Sequence, residues 1–469
     1  MIFEKTGKTE EEILKEKLSV SKKNGVNKIS LEELEICDKF SEGYKEFLNE
    51  SKTERESIEY SVKLLKEKGF VKFNRNQKYK PGDRIYYINR GKSIIIAVIG
   101  IEGTKKGVNI SVAHVDSPRL DLKPVPLYED NGLALFKTHY YGGIKKYQWP
   151  AIPLALHGVI IRKDGEKISV KIGENSNEPC FCTTDLLPHL AKEQMEKTMR
   201  KGVTGEDLNV LVGSRAFKSD KGSELVKLNV LKLLSDKYGI IEEDFISSEL
   251  ELVPAFKAQD IGFDKSMIGA YGHDDKVCSY PSLIACLDCE IPEKTAVVVL
   301  ADKEETGSSG NTGMNSEFFK YFIADLADQD GMEYRHVLSN SKCLSADVNA
   351  AFDPNYPSPY DSLNSCYVNR GVVLTKYTGN GGKGGTSDCS AEFMFEIRKF
   401  LNDNDVVWQT GELGKIDAGG GGTIAKYIAK LDVDVVDLGV PVLSMHSPFE
   451  VISKFDLYMT YKAIKAFLK

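Results

Sequence analysis

Five times along this chain a short, nearly continuous apolar run stops at a histidine or an acidic residue. In SVAHVDSPRL, residues 111–120, the run ends at His114, with Asp116 two residues on. In TAVVVLADKEETGSSG it ends just before Glu304 and Glu305, in KCLSADVNAAFDPNY at Asp347, and in VVDLGVPVLSMHSPFE at His446. In MIGAYGHDDKVCSY it reaches Asp274 and Asp275, after which SLIACL reads as the opening of a helix. Runs of this kind alternating with helical stretches predict an α/β fold, a mixed sheet covered by helices on both faces. Ligands of such sheets bind beyond the carboxyl ends of the strands, so five segments would carry their polar ends to one edge.

Imidazoles and carboxylates without thiolates suit borderline-hard divalent ions, and one carboxylate can be shared between two of them. A ligating histidine usually donates its second ring N–H to a carboxylate or carbonyl, which is the part Asp116 can play for His114. Taken alone, a His-x-Asp is commonplace and a Glu-Glu pair reads as solvated surface. Preceded by VVVLA and followed by Gly307 and Gly310, the pair instead sits at a strand end. There one carboxylate can ligate while its neighbour, pointing elsewhere, faces the substrate. Two ions about 3.5–4 Å apart would bring the pKa of water down to about 7 and polarise a carbonyl.

The ordered set AHVDSPR, GHDD, EETGSSG, SADVNAAFDPNY and MHSPFE resembles the aspartyl aminopeptidase family of co-catalytic metallopeptidases, from about Ile95 to the C-terminus. The resemblance implies two divalent ions bridged by Asp274, one held also by His114 and Asp347, the other by Glu305 and His446. It makes Glu304 the general base and Asp275 a supporting group. Zinc is the expected metal, with cobalt and manganese accepted by the same donors. DLLPHLAKEQ resembles the family's proline-histidine segment, which implies that His189 reaches a partner subunit's site and stabilises the developing oxyanion. The same likeness implies a homo-oligomer, a dodecamer built from dimers. An ordinary histidine at a helix start is the alternative for His189; His139, His157, His273 and His336 read as structural.

Residues up to about 70 read as helices, with Gly69 a C-cap. Strand signals begin with RIYYINR and SIIIAVIG, and after Lys123 the texture turns to Pro, Gly and aromatic residues. LHGVIIRK and KISVKI, separated by Asp164-Gly165, predict a hairpin. The expected organisation is a discontinuous catalytic domain, 1–124 and 246–469, with a smaller β-rich domain inserted at 125–245 for dimerisation and substrate shaping. KSDKGSE near 220 reads as exposed loop.

Composition narrows the partners. With Lys+Arg 62 against Asp+Glu 69, the net charge of −7 supplies no electrostatic footprint for nucleic acid or an anionic membrane. The charged start MIFEKTGKTEEEILKEK shows no signal peptide, and no apolar run nears the roughly 20 residues that span a bilayer. A cytoplasmic location is expected, with the nine cysteines serving mostly as small buried hydrophobes and Cys286-x-x-Cys289 without a second pair to complete a zinc site. Lys383 among glycines fails the P-loop pattern, because Gly384 follows it. DAGGGGTIAKYIAKL could present free N–H groups to substrate.

The function expected is a metal-dependent aminopeptidase acting on peptides, with another two-metal hydrolase, a carboxypeptidase or deacylase, as the alternative. A non-catalytic metal-binding assembly protein is the third reading, and the intact Glu304 speaks against it. Where relatives carry histidines after the metal aspartate, this chain has Asn349, Ala350, Ala351, Phe352 and Asp353, and Phe449 stands before Glu450 where they commonly have Arg. These departures leave selection of acidic N-terminal residues open.

Overall fold

The computed structural model describes residues 8–20, 24–219 and 221–469. At its centre is a nine-stranded sheet in the order Val71–Lys72, Arg84–Asn89, Ser93–Val98, Thr295–Ala301, Val108–His114, Lys342–Ser345, Asp434–Gly439, Val372–Thr375, Trp408–Thr410. The four strands from Thr295–Ala301 to Asp434–Gly439 are parallel, flanked by Ser93–Val98 and Val372–Thr375 running the other way. Successive side chains of a strand point to opposite faces, so Ala296, Val298 and Leu300 enter one core while Val297, Val299 and Ala301 enter another. Helices Leu31–Glu50, Glu54–Glu67, His273–Leu287 and Lys454–Phe467 contribute to the first core and Phe318–Gln329 to the second. The sheet is therefore mixed and doubly covered, as its apolar runs require. Truncating a buried aromatic of the covering helix Phe318–Gln329, such as Phe322, to alanine would cost about 3–5 kcal/mol.

A six-stranded antiparallel sheet stands apart, in the order Lys167–Ile172, Leu154–Ile161, Ser248–Pro254, Arg119–Asp130, Leu133–Tyr141, Val210–Gly213. The hairpin at Asp164-Gly165 joins its first two strands, with Gly165 at φ +86°. The sheet reaches beyond 125–245 at both ends. Arg119–Asp130 follows Val108–His114 of the nine-stranded sheet after four intervening residues and shifts register against Leu133–Tyr141 between Leu122 and Leu127, and Ser248–Pro254 pairs between it and Leu154–Ile161.

A third sheet has the order Gln259–Ile261, Met267–Ala270, Glu450–Ser453, Pro441–Leu443, Asn349–Ala350. The chain enters it from the nine-stranded sheet twice, after Asp347 and after Gly439. The two crossings touch: a Cβ at Gly439 would lie 1.6 Å from the Asp347 carbonyl oxygen, so only glycine fits.

Residues 1–7 of the charged N-terminal stretch and residue 220 of KSDKGSE lie outside the described residues; the rest of KSDKGSE is exposed. Seven cysteines are buried, Cys182 is partly so and Cys180 is exposed, all as free thiols. The two glycine-rich stretches pair with each other, Gly379–Asn380 against Gly420–Gly421, ahead of a helix of only five residues, Ala425–Ala429. Among the described residues no helix is long and apolar enough to cross a membrane.

Candidate metal centre

Three of the candidate groups leave the carboxyl ends of parallel strands in the nine-stranded sheet. His114 closes Val108–His114, Glu304 and Glu305 open a short 3-10 turn after Thr295–Ala301, and Asp347 follows Lys342–Ser345. The other two correct the expectation of a single sheet edge. Asp274 follows Met267–Ala270 and His446 follows Pro441–Leu443, both strands of the five-stranded sheet. After Gly439 the chain changes sheets, which VVDLGVPVL, apolar on both sides of that glycine apart from Asp437, does not reveal. The helix after Asp274 also begins earlier than SLIACL suggests: it spans His273–Leu287, with Asp274 (φ −78°, ψ 106°) and Asp275 (φ −118°, ψ 29°) outside helical geometry.

The five candidate ligands converge from both sheets. His114, Asp274 and Asp347 form one group and Asp274, Glu305 and His446 another, with the ligand atoms of each group within 4.8 Å of one another. Asp274 belongs to both, one oxygen toward each: Oδ1 is 3.2 Å from His114 Nε2 and Oδ2 is 3.0 Å from His446 Nε2. Asp347 Oδ1 lies 4.0 Å from His114 Nε2, and Glu305 Oε1 lies 3.5 Å from His446 Nε2. Glu304 Oε2 is 4.0 Å from His114 Nε2, beside both groups and a member of neither.

Each imidazole is oriented through its other nitrogen. His114 Nδ1 meets the Asp116 carbonyl at 3.0 Å and His446 Nδ1 meets the Gly143 carbonyl at 2.8 Å, which leaves both Nε2 atoms facing the carboxylates. Asp116 thus orients His114 mainly through its backbone, since its carboxylate is 3.4 Å from Nδ1. The carboxylate instead accepts the N–H groups of Glu304 and Glu305, at 3.1 and 3.2 Å, and the Tyr141 hydroxyl at 2.8 Å. Asp275 accepts the His114 N–H at 3.2 Å, a supporting contact. His189 sits elsewhere, exposed in the turn after Pro188.

Glu450, Tyr141 and Gly143 support the site and were not singled out from sequence. The signals for Glu450 are its place at the end of MHSPFE and four residues after His446, the reach of a local backbone contact. Tyr141 and Gly143 come from the six-stranded sheet and the loop that leaves it, and no pattern in the chain announces a contact between residues 303 apart.

The electrostatics of the cluster call for cations. Burial, reinforced by Asp274's charge, drives the Glu305 carboxyl well up, and burial with Asp275's charge does the same to Asp347. Burial and the charges of Asp116 and Asp274 push Glu304 up to about 7. Burial also opposes the ionised form of Asp274, but the flanking imidazoles hold it below the usual carboxylate range. Asp274 Oδ1 and Glu305 Oε1 are buried without a hydrogen-bond partner. Buried carboxylate oxygens that face only imidazole nitrogens and make no hydrogen bond are placed to meet a cation. Oxygen and imidazole donors in two overlapping groups fit a pair of divalent cations.

A mixed α/β sheet ending in such a donor set defines a metal-dependent hydrolase. The model of the aminopeptidase I zinc metalloprotease family, M18, matches residues 47–468. A curated Clostridium acetobutylicum protein named "Probable M18 family aminopeptidase 1" is 47% identical over 454 residues, 95% of this chain and 98% of its own. The crystal structure of an M18 aminopeptidase from Thermotoga maritima superposes with a TM-score of 0.92 at 44% identity, covering 96% of this chain and 100% of that one. The aminopeptidase I structure from Clostridium acetobutylicum gives 0.90 at 44% identity, with 96% and 100% covered. The chain belongs to the M18 family of metal-dependent aminopeptidases.

Proposed function

We propose that the chain removes N-terminal residues from peptides in the cytoplasm, using two divalent cations shared through Asp274 and Glu304 as the general base. The observation that carries this reading is the Asp274 carboxylate, one oxygen turned to each ligand group. His114 and Asp347 would complete one cation site, Glu305 and His446 the other. Zinc is the first choice of ion, cobalt and manganese the alternatives. When bound, such a pair supplies a polarised carbonyl and a water whose pKa is lowered to about 7.

The chain's own groups do the rest. Glu304 sits beside both ligand groups without joining either, so its carboxylate is free to take a proton from water and pass it to the leaving amine. Asp116 fixes where this carboxylate points by accepting the backbone N–H groups of Glu304 and Glu305. Glu305 faces His446 and is committed to the ligand group.

We assign the six-stranded sheet and its loops to dimerisation and substrate shaping, and the whole to a homo-oligomer, a dodecamer built from dimers. Leu186, Leu187, Leu190, Met195 and Met199 surround His189 in sequence and are all at least half exposed, an apolar surface suited to a second copy of the chain. His189 would then serve the neighbouring site.

Turnover of aminoacyl-anilides compared with N-acylated amino acids tests the reaction assignment. Release of the free N-terminal residue from the anilides alone is expected. Preferential cleavage of N-acyl substrates would make the enzyme a deacylase or carboxypeptidase on the same framework, and no turnover of either by ion-loaded protein would favour a non-catalytic role.

A further inference from the structure

We propose that Glu450 is a positioning residue whose carboxylate sets the spacing between the shared ligand and one terminal ligand of the metal centre; the proposal rests on the two-cation reading above. Glu450 is 1% exposed. Its Oε1 accepts the backbone N–H of His446 at 2.7 Å, and its Oε2 accepts the backbone N–H of Asp274 at 3.0 Å. One side chain therefore ties together two segments 172 residues apart, each at the residue whose side chain faces the cluster.

The fold explains why this carboxylate can reach both. Glu450–Ser453 pairs antiparallel with Met267–Ala270, and Glu450 lies opposite Ala270, the last strand residue before the Asp274 turn. The same strand begins four residues after His446, so its first side chain turns back on the loop it has just left. Each backbone is irregular where it is held: Asp274 and Asp275 depart from the helix, and His446 has φ +63°. Neither loop has a ladder to fix it there; the two N–H groups donated to one carboxylate do so instead.

The requirement is for two acceptor oxygens. Glutamine has nearly the same shape, but its NH₂ would face one of the two N–H groups, so one bond must be lost. The effect should be unequal between the ions. His446 belongs only to the group with Glu305, whereas the group with His114 and Asp347 has two ligands that Glu450 does not touch.

The test is chelator titration of the zinc-loaded full-length protein, reading zinc per chain, for wild type and Glu450→Gln. Wild type should release two ions. In Glu450→Gln one ion should be held as in wild type and the other about 10–100-fold more weakly, the usual consequence of losing a group that orients ligands. Two ions held as tightly as in wild type, or both weakened equally along with the melting temperature of the ion-free protein, would overturn the proposal. A wild type that binds no zinc would remove the two-cation reading and the proposal with it. Should Glu450→Gln fail to fold, amide hydrogen exchange of wild type decides: the Asp274 and His446 amides should stay protected after the ions are stripped, and exchange at the rate of free loops would overturn it.

Discussion

Among the described residues, two of the clusters of buried ionisable groups solve the same problem in opposite ways. Around His157 the charges neutralise one another: Lys52 meets Glu174 at 2.8 Å, Lys257 meets the other Glu174 oxygen at 2.6 Å, and the His157 ring spans Glu56 and Glu174 at 2.8 and 3.0 Å. Lys52 also donates to the Pro254 and Phe256 carbonyls, at 2.6 and 3.0 Å, so this cluster pins the segment before helix Glu54–Glu67 to the six-stranded sheet. At the candidate metal centre Asp274, Glu304, Glu305 and Asp347 converge, and among the described residues no lysine or arginine pairs with any of them. Buried charge that is matched from within is structural; buried charge left unmatched is kept for something that binds.

The sharpest way to break that contrast is to remove single carboxylates from each side. Glu304→Gln should lower kcat by about 10²–10⁴, the usual worth of a positioned general base, with the ion content unchanged by elemental analysis. Full activity in that variant would take the proton role away from Glu304. In the matched cluster, Glu174→Ala leaves Lys52 without its close carboxylate and His157 with only Glu56, and should cost about 3–5 kcal/mol in urea unfolding while kcat per folded molecule stays as in wild type. Loss of activity with intact stability would show that the two clusters are not independent.

Ion binding sharpens the comparison from the other side. At a free divalent-ion concentration 100 times Kd, occupation of one site should stabilise the wild type by about 2.7 kcal/mol. Asp274→Asn, which removes the ligand common to both groups, should lose that gain in thermal melts. Glu174→Ala should keep it.

The smallest effect expected is on pH dependence. Burial acts to lower the His157 pKa, but the hydrogen bonds its ring donates to Glu174 and Glu56 outweigh it and raise the folded value above 6.5. The folded state then holds its proton more tightly than the unfolded chain. Its contribution to stability is complete below about pH 6.5 and is lost as pH rises through the raised folded value. His157→Gln should therefore differ most from wild type on the acid side of that window, and the gap should narrow above it. A gap that widened with pH would mean that His157 is neutral in the fold.

The two clusters also differed in how far the sequence disclosed them. His114, Glu304, Glu305 and Asp347 were legible because each follows an apolar run that ends where a parallel strand ends. Asp274 and His446 were found by the same cue, yet they lie on a different sheet, since a chain can change sheets at Gly439 without changing its apolar pattern. What stayed hidden was support that depends on tertiary approach: Tyr141 to Asp116, Gly143 to His446, Glu450 to Asp274. The His157 cluster was invisible for the same reason, its members coming from helix, hairpin and loop with no shared spacing. The extents of the inserted sheet blurred because Arg119–Asp130 belongs by sequence to the segment that leaves His114 and by hydrogen bonding to the six-stranded sheet.

Anomalous diffraction at the zinc edge from crystals of the zinc-loaded enzyme tests the central claim most directly. Two peaks about 3.5–4 Å apart, with the Asp274 carboxylate between them and one imidazole on each, are the predicted result. A single peak, or two that do not share Asp274, would contradict the account.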